Sequence, residues 1–200
     1  MEEQHHHHHH GGAWSLEQLS RLNHADRGQL MPQAPVLEAL NATPGAVVAD
    51  VGAGLGWLTF PLAVAVGANG RVLAIDPSVD GIQAIQARAR QEELAQIETI
   101  VARAEDTGLP HDYLDAALWH TMYHDIEDRN QALAEMHRIL KPKGRWVIVD
   151  WDKRPMEFGP PHEIRIAREQ VMEEVSAAGF HVVEQWTAGP VTWGLTVEKP

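Results

Sequence analysis

The sequence predicts an α/β fold: a doubly wound, mostly parallel sheet of seven strands that ends in an antiparallel edge hairpin. Three observations predict it. Apolar runs of strand length alternate with helix-like patterns from Val47 onward, the order that builds a parallel sheet with helices on both faces. The first run, Ala46-Val47-Val48-Ala49-Asp50, is apolar almost throughout, as a strand buried on both faces must be, and it passes directly into Gly52-Ala53-Gly54-Leu55-Gly56. The last two runs, Val182 to Trp186 and Val191 to Val197, are joined only by Thr187-Ala188-Gly189-Pro190, enough for a hairpin and too short for a parallel crossover.

Ahead of the first strand, Ser15-Leu16-Glu17-Gln18 has the capping-box arrangement, and Leu16, Leu19 and Leu22 follow at helical spacing. A second helix is expected over Pro35 to Leu40, ended by Asn41. Strand one is expected over Val47 to Asp50, and a helix from Leu58 to Val66 carries Pro61 in its first turn, where a missing amide hydrogen costs little. Strand two spans Arg71 to Asp76, and Ser78 caps a helix from Val79 to about Glu92. Strand three covers Ile97 to Ala102 and strand four Leu114 to Trp119. The next helix places Leu133, Met136, Ile139 and Leu140 on one face, and Lys141-Pro142-Lys143-Gly144 stops it before strand five, Trp146 to Asp150. A last helix, from about Pro161 to Ala178, turns Val171, Met172 and Val175 inward and stops at Gly179. No internal repeat or second domain is visible. Residues 13–200 read as one domain, with 13–45 a helical lid and 46–200 the core.

Composition narrows the function classes. The 200 residues, 44% hydrophobic, suit one domain with a full core. The formal net charge of −12, from 28 acidic against 16 basic residues, opposes docking on a phosphate backbone or an anionic lipid surface, so neither nucleic acid nor membrane is an expected partner. The absence of cysteine excludes disulfides, thiolate metal sites and cysteine nucleophiles. With no apolar run of membrane-spanning length and no signal-peptide pattern at the start, a reducing cytoplasm is the expected location. His5 to His10 with Gly11-Gly12 read as a purification tag, so segment 1–12 is left out of fold reasoning; a native histidine-rich metal-binding tract is the alternative. Nothing in the pattern speaks to oligomeric state.

The glycine spacing discriminates between cofactors. A dinucleotide loop needs Gly-x-Gly-x-x-Gly, its third glycine letting helix and strand pack closely. Counted from Gly52 that third place is Trp57; counted from Gly54 it is Thr59, with Trp57 at the second glycine. The pyrophosphate reading fails in both registers. What stands is Asp50-Val51-Gly52-Ala53-Gly54-Leu55-Gly56, an Asp-x-Gly-x-Gly-x-Gly loop that resembles the S-adenosylmethionine loop of class I methyltransferases, whose fold is Rossmann-like. The antiparallel ending is a signature of the same fold. More narrowly, Leu140-Lys141-Pro142-Lys143-Gly144 is similar to the Leu-Lys-Pro-Gly-Gly turn of the small type 11 methyltransferases, which include ubiquinone and menaquinone biosynthesis enzymes, with Lys143 replacing a glycine. The resemblance implies S-adenosylmethionine-dependent methyl transfer to a small-molecule acceptor by in-line displacement, with S-adenosylhomocysteine as product. An NAD(P)-dependent oxidoreductase, disfavoured by Trp57, and a non-catalytic cofactor- or metal-binding module are the alternatives.

The same resemblance assigns expected roles. Gly52, Ala53, Gly54 and Gly56 pass under the methionine and ribose of the cofactor. Asp50 holds the loop amides or faces the methionine ammonium. Asp76, twenty residues after Gly56, is placed to accept both ribose hydroxyl hydrogens, and Ile75 and Pro77 border the adenine. Of Glu105 and Asp106, one bonds the adenine amino group, with Asp106 favoured over Glu105. Trp119-His120-Thr121-Met122-Tyr123-His124-Asp125 follows strand four, where His120 would lie by the sulfonium and His124 would face the acceptor as a candidate general base. His120 and His124 stand four apart like a helical zinc pair, but Thr121 occupies the place of the glutamate that a His-Glu-x-x-His zinc site needs, so no metal site is expected. Asp150, Trp151 and Asp152, read as ending strand five on one face, are expected to line the acceptor pocket. Gly159-Pro160-Pro161-His162-Glu163 is expected to close over it, with Arg165 on the following helix turn available to an acidic acceptor. The acceptor itself is not readable, because a sulfonium methyl is already activated and demands little beyond alignment and desolvation.

Overall fold

The computed structural model describes residues 13–22 and 26–200; the histidine run at 5–10 and His24 lie outside the described residues. The expected strands form at β1 (Val47–Val51), β2 (Arg71–Asp76), β3 (Ile97–Val101), β4 (Leu114–His120), β5 (Leu140–Trp151), β6 (His181–Gly189) and β7 (Thr192–Glu198). They make one sheet in the order β3-β2-β1-β4-β5-β7-β6. The first five run parallel, and β7 pairs antiparallel with both β5 and β6, as the short hairpin connection requires.

The helices are α1 (Leu16–Leu22), α2 (Arg27–Leu30), α3 (Gln33–Leu40), α4 (Thr59–Val66), α5 (Val79–Gln91), α6 (Arg129–Ile139) and α7 (Arg168–Ala177), with a 3₁₀ turn over Tyr123–Asp125. Strand alternation sorts them into two layers. Val48, Val72, Leu118 and Val147 pack with Val36 and Leu40 of α3 and Leu62 and Val66 of α4. Leu73, Ala117, Trp119, Trp146 and Ile148 point the other way, into Leu133 and Met136 of α6 and Val171 and Val175 of α7. Trp146 anchors this second layer, meeting Trp119 edge-on at 4.6 Å between ring centroids and Phe180 at 5.0 Å.

The expected caps form. Ser15 Oγ accepts from the Gln18 amide at 3.3 Å while Gln18 Oε1 accepts from the Ser15 amide at 2.9 Å, the reciprocal pair of a capping box. Ser78 Oγ accepts from the Gly81 amide at 3.2 Å, and Asn41 closes α3 in the left-handed conformation at φ 51°. Within α1, Leu19 is buried but Leu16 stays exposed, so the apolar spacing does not define one buried stripe.

Two expectations are corrected, and one element is added. β5 begins at Leu140, not Trp146, because Lys143 donates its amide to the Lys199 carbonyl at 2.8 Å and Gly144 accepts from Lys199 at 3.1 Å; these long-range bonds draw the supposed stop signal into the sheet, with Lys143 at φ 62° taking up the irregularity. The last helix starts at Arg168 instead of Pro161, since residues 152–167 form a loop tied by a side chain in place of helical bonds. The short α2 carries no apolar period and was not anticipated. Among the described residues, no helix is long and apolar enough to cross a membrane.

Candidate cofactor and active site

The strand order reverses between β1 and β4, and the crevice beyond the carboxyl ends of these strands is where an open α/β sheet binds ligands. The glycine loop leaves β1 on one side of that crevice, and Thr121 and Met122 leave β4 on the other. Gly52, Gly54 and Gly56 all have positive φ, at 74°, 54° and 80°, so the loop turns through a backbone region that side chains rarely tolerate. Gly52 and Ala53 donate their amides to the Ile75 carbonyl at 2.8 and 3.1 Å, holding the loop against β2.

Asp76 closes the link. Its Oδ2 accepts from the Gly54 amide at 2.8 Å and its Oδ1 from the Ser78 amide at 2.8 Å. A carboxylate has about four acceptor positions, so capacity for ligand hydroxyls remains. Burial raises its pKa, and the two amide bonds partly offset that. The half-buried Pro77 follows it at the same edge.

Asp50 does not hold the loop amides. It is buried at the end of β1 with Oδ2 accepting from the Thr59 hydroxyl at 2.6 Å, because its side chain points into the α3 and α4 layer while the loop amides turn toward β2. Burial pushes its pKa up to about 6, against the lowering effects of Thr59 and of the Arg27 guanidinium. Arg27, on the unanticipated α2, lies 4.7 Å over the Trp57 ring. Burial lowers its own pKa to about 10, with Asp50 opposing the shift. Charge coupling was the only possible sequence signal for this partnership, and it spans a segment with no motif.

His120 and His124 go to different layers. His120 ends β4 with the parity of Leu118, and burial together with Arg27 lowers its pKa to about 3, which keeps the ring neutral. His124 belongs to the 3₁₀ turn beneath the opposite layer, where Nδ1 lies 2.8 Å from Asp150 Oδ1 and its amide donates to Asp150 Oδ2 at 3.1 Å. Its Nε2 stands 3.5 Å from Asp125 Oδ2. The pKa of His124 is raised: desolvation lowers it, and Asp150 and Asp125 more than compensate. Thr121, between the two histidines, is β-branched yet has φ 55°, a strained conformation at the mouth of the crevice.

The remaining expectations separate. Glu105 turns to Arg103 at 3.1 Å and to the Asp128 amide at 3.4 Å, and the exposed Asp106 acts on Arg138, so neither carboxylate is engaged with the glycine loop. Asp150, Trp151 and Asp152 do not share a face, since successive side chains of a strand alternate. Asp150 meets His124, Trp151 packs with Met31 and Val191, and Asp152 pairs with Arg154 at 3.3 Å. Arg165 is not on a helix turn and is not available to an acidic acceptor. Its three nitrogens donate to the carbonyls of Pro160, Arg154 and Phe158 at 2.8, 2.7 and 2.8 Å, pinning the loop from inside, with Gly159 against the Trp151 ring.

The N-terminal segment reaches the glycine loop and the start of α5. Ser78 donates its hydroxyl to the Trp14 carbonyl at 2.5 Å, and a Cβ on Gly54 would stand 3.5 Å from Leu19 of α1. On the β4 side, a Cβ on Gly52 would meet Met122 Cγ at 2.8 Å.

Comparison with known proteins accords with this geometry. A transposon-encoded protein of Streptomyces fradiae, described as uncharacterized, is 36% identical over 62% of this chain and 36% of its own length. The ubiquinone/menaquinone biosynthesis C-methyltransferase of Vibrio parahaemolyticus is 28% identical over 60% of this chain and 47% of its own. The chain therefore spans half or less of the length of these relatives. A crystal structure of an S-adenosylmethionine-dependent methyltransferase from Aquifex aeolicus superposes with a TM-score of 0.88 at 24% identity, covering 94% of this chain and all of the other, which shows the shared fold. The family model described as a methyltransferase domain, type 11, matches residues 49–148, half of the 200 residues, and the chain belongs to this family of S-adenosylmethionine-dependent methyltransferases.

Proposed function

We propose that the protein transfers a methyl group from S-adenosylmethionine to a small-molecule acceptor by in-line displacement. The observation that carries the reading is the bond from Gly54 to Asp76: a loop of left-handed glycines is fastened to a buried acid that keeps acceptor capacity, as recognition of a ribose diol beside a bare backbone requires. Gly52, Ala53, Gly54 and Gly56 would lie under the cofactor, Asp76 would take the ribose hydroxyls and Pro77 would border the adenine. Glu105 or Asp106, with Asp106 favoured, would bond the adenine amino group, and Glu105 would have to leave Arg103 to do so.

The bound cofactor supplies an activated sulfonium methyl, so the chain's work is alignment, exclusion of water and, for an acceptor that enters protonated, removal of one proton. The neutral His120 adds no charge to repel a sulfonium at the β4 edge. His124 holds the tautomer in which Nδ1–H points at Asp150, which leaves the Nε2 lone pair as the candidate proton acceptor and the two carboxylates to stabilise the imidazolium that forms. The helices of residues 13–45 would act as a lid, a reading supported by Leu19 close to Gly54 and by Trp14 bonded to Ser78. A net charge of −12 favours a small acceptor over nucleic acid, and a cysteine-free chain suits a cytoplasmic setting. Incubation with methyl-labelled S-adenosylmethionine and fractionated metabolite pools tests this. Label entering a small molecule supports it; label entering only nucleic acid or protein opposes it.

A further inference from the structure

Met122 stands on the β4 side of the crevice, opposite the glycine loop. Its backbone is fixed on both sides: the Thr121 amide donates to the Val149 carbonyl at 2.7 Å, and the Met122 carbonyl accepts from the Asp125 amide at 3.0 Å. Between these bonds Thr121 takes its strained φ of 55°, which turns the chain as it leaves β4. The Met122 side chain then lies along Gly52. A Cβ built on Gly52 would stand 2.8 Å from Met122 Cγ, 2.9 Å from its Cβ and 3.6 Å from its Cε, so the thioether arm runs beside the first glycine of the loop and only glycine leaves room for it. Met122 packs against the core cluster that contains Trp119 and Tyr123, yet the residue is only half-buried, so part of the arm stays uncovered at the strand ends.

We propose that Met122 is a specificity-determining residue for the donor: it bounds the space beside the sulfonium and limits the transferred group to methyl. The inference rests on the reading of S-adenosylmethionine as cofactor and deepens it. A cofactor laid along Gly52, Ala53 and Gly54 with its ribose on Asp76 carries its sulfur past these glycines, and Met122 is the side chain that borders the first of them from the β4 side. The room there is set by one unbranched arm on a fixed backbone. A thioether suits the place, being uncharged and polarizable beside a cation. One added methylene pressed against an apolar wall changes discrimination by about 10-fold or more, so a single side chain is enough to separate methyl from ethyl. Met122 takes no part in the bonds that form and break; it sets which carbon can stand in line.

Calorimetric titration of the wild type, Met122→Ala and Met122→Leu with S-adenosylmethionine and its S-ethyl homologue, S-adenosylethionine, tests this through the ratio of the two affinities. The wild type should favour the methyl donor by about 10-fold or more. Met122→Ala, which cuts the arm back to Cβ, should bring the two donors within about threefold, and Met122→Leu, which keeps the bulk, should hold the wild-type ratio within about twofold. If circular dichroism shows Met122→Ala unfolded, Met122→Val is read by the same ratio and should narrow it. A purely structural role would weaken both donors alike and leave the ratio where it was. An unchanged ratio in the shortened variant, or a wild type that binds both donors equally, overturns the role of Met122 and leaves the cofactor reading intact. A wild-type protein that binds neither donor overturns both.

Discussion

Gly54 donates its amide hydrogen to Asp76 across 2.8 Å, so the turn after β1 is fastened to the last residue of β2 by a side chain that also faces the proposed ribose position. One residue therefore shapes the loop and would bind its ligand. Asp76→Ala leaves the Gly54 and Ser78 amides without their acceptor, at a cost of about 1–3 kcal/mol in stability. Affinity for S-adenosylhomocysteine should fall at least about 10-fold in the same variant. Thermal melting and calorimetric titration read the two effects separately, and a variant that melts lower but binds normally would deny Asp76 its ligand role.

Gly56→Ala should destabilise the fold as well as disturb the loop that would lie under the cofactor. Its φ of 80° disfavours a side chain, and a Cβ would stand 2.6 Å from Phe60 Cε2, an aromatic ring packed with Ile85. A loss of about 1–3 kcal/mol by denaturant unfolding is expected.

Asp50 makes stability depend on pH in the direction opposite to a salt-bridged aspartate. Its carboxyl pKa is raised from 3.8 to about 6, so the native state holds the proton more tightly than the unfolded chain. The cost is absent below the unfolded value, grows as pH rises from about 4 to 6, and is constant above, on the order of 3 kcal/mol. Asp50→Asn keeps an oxygen for the Thr59 hydroxyl and removes the titration. Melting temperatures across pH 4 to 8 should show a flatter profile for the variant; parallel profiles would contradict the buried-carboxyl account.

His124 behaves in the usual sense for a histidine with acidic partners. Its pKa is raised, so its stabilising contribution is fully present below the unfolded value of about 6.5 and is lost as pH rises through the folded value. If it removes the acceptor's proton, the rate should climb with pH along a limb centred above about 6.5, and Asp150→Asn should move that limb, and the imidazole titration seen by NMR, to lower pH. An unmoved limb would restrict Asp150 and His124 to holding the turn after β4.

The sheet was legible because each strand carries its own apolar run and the glycine loop is a local pattern. Asp76 was legible for the same reason, through its spacing from Gly56. What the sequence hid depends on partners far along the chain. The bonds between Lys143, Gly144 and Lys199 lengthen β5, and the three carbonyls that Arg165 gathers replace a helix turn. The 3₁₀ turn seats His124 on Asp150, and no period marks such a turn. Arg27 lies on a four-residue helix, too short to show amphipathicity, and its place over Trp57 is a tertiary contact.

The central claim is that the glycine loop and Asp76 hold S-adenosylmethionine, and calorimetric titration of the wild-type protein with S-adenosylhomocysteine and, separately, NADH tests it most directly. Saturable heat with S-adenosylhomocysteine at about one site per chain and none with NADH is the predicted result. Binding of NADH with no heat from S-adenosylhomocysteine would contradict it.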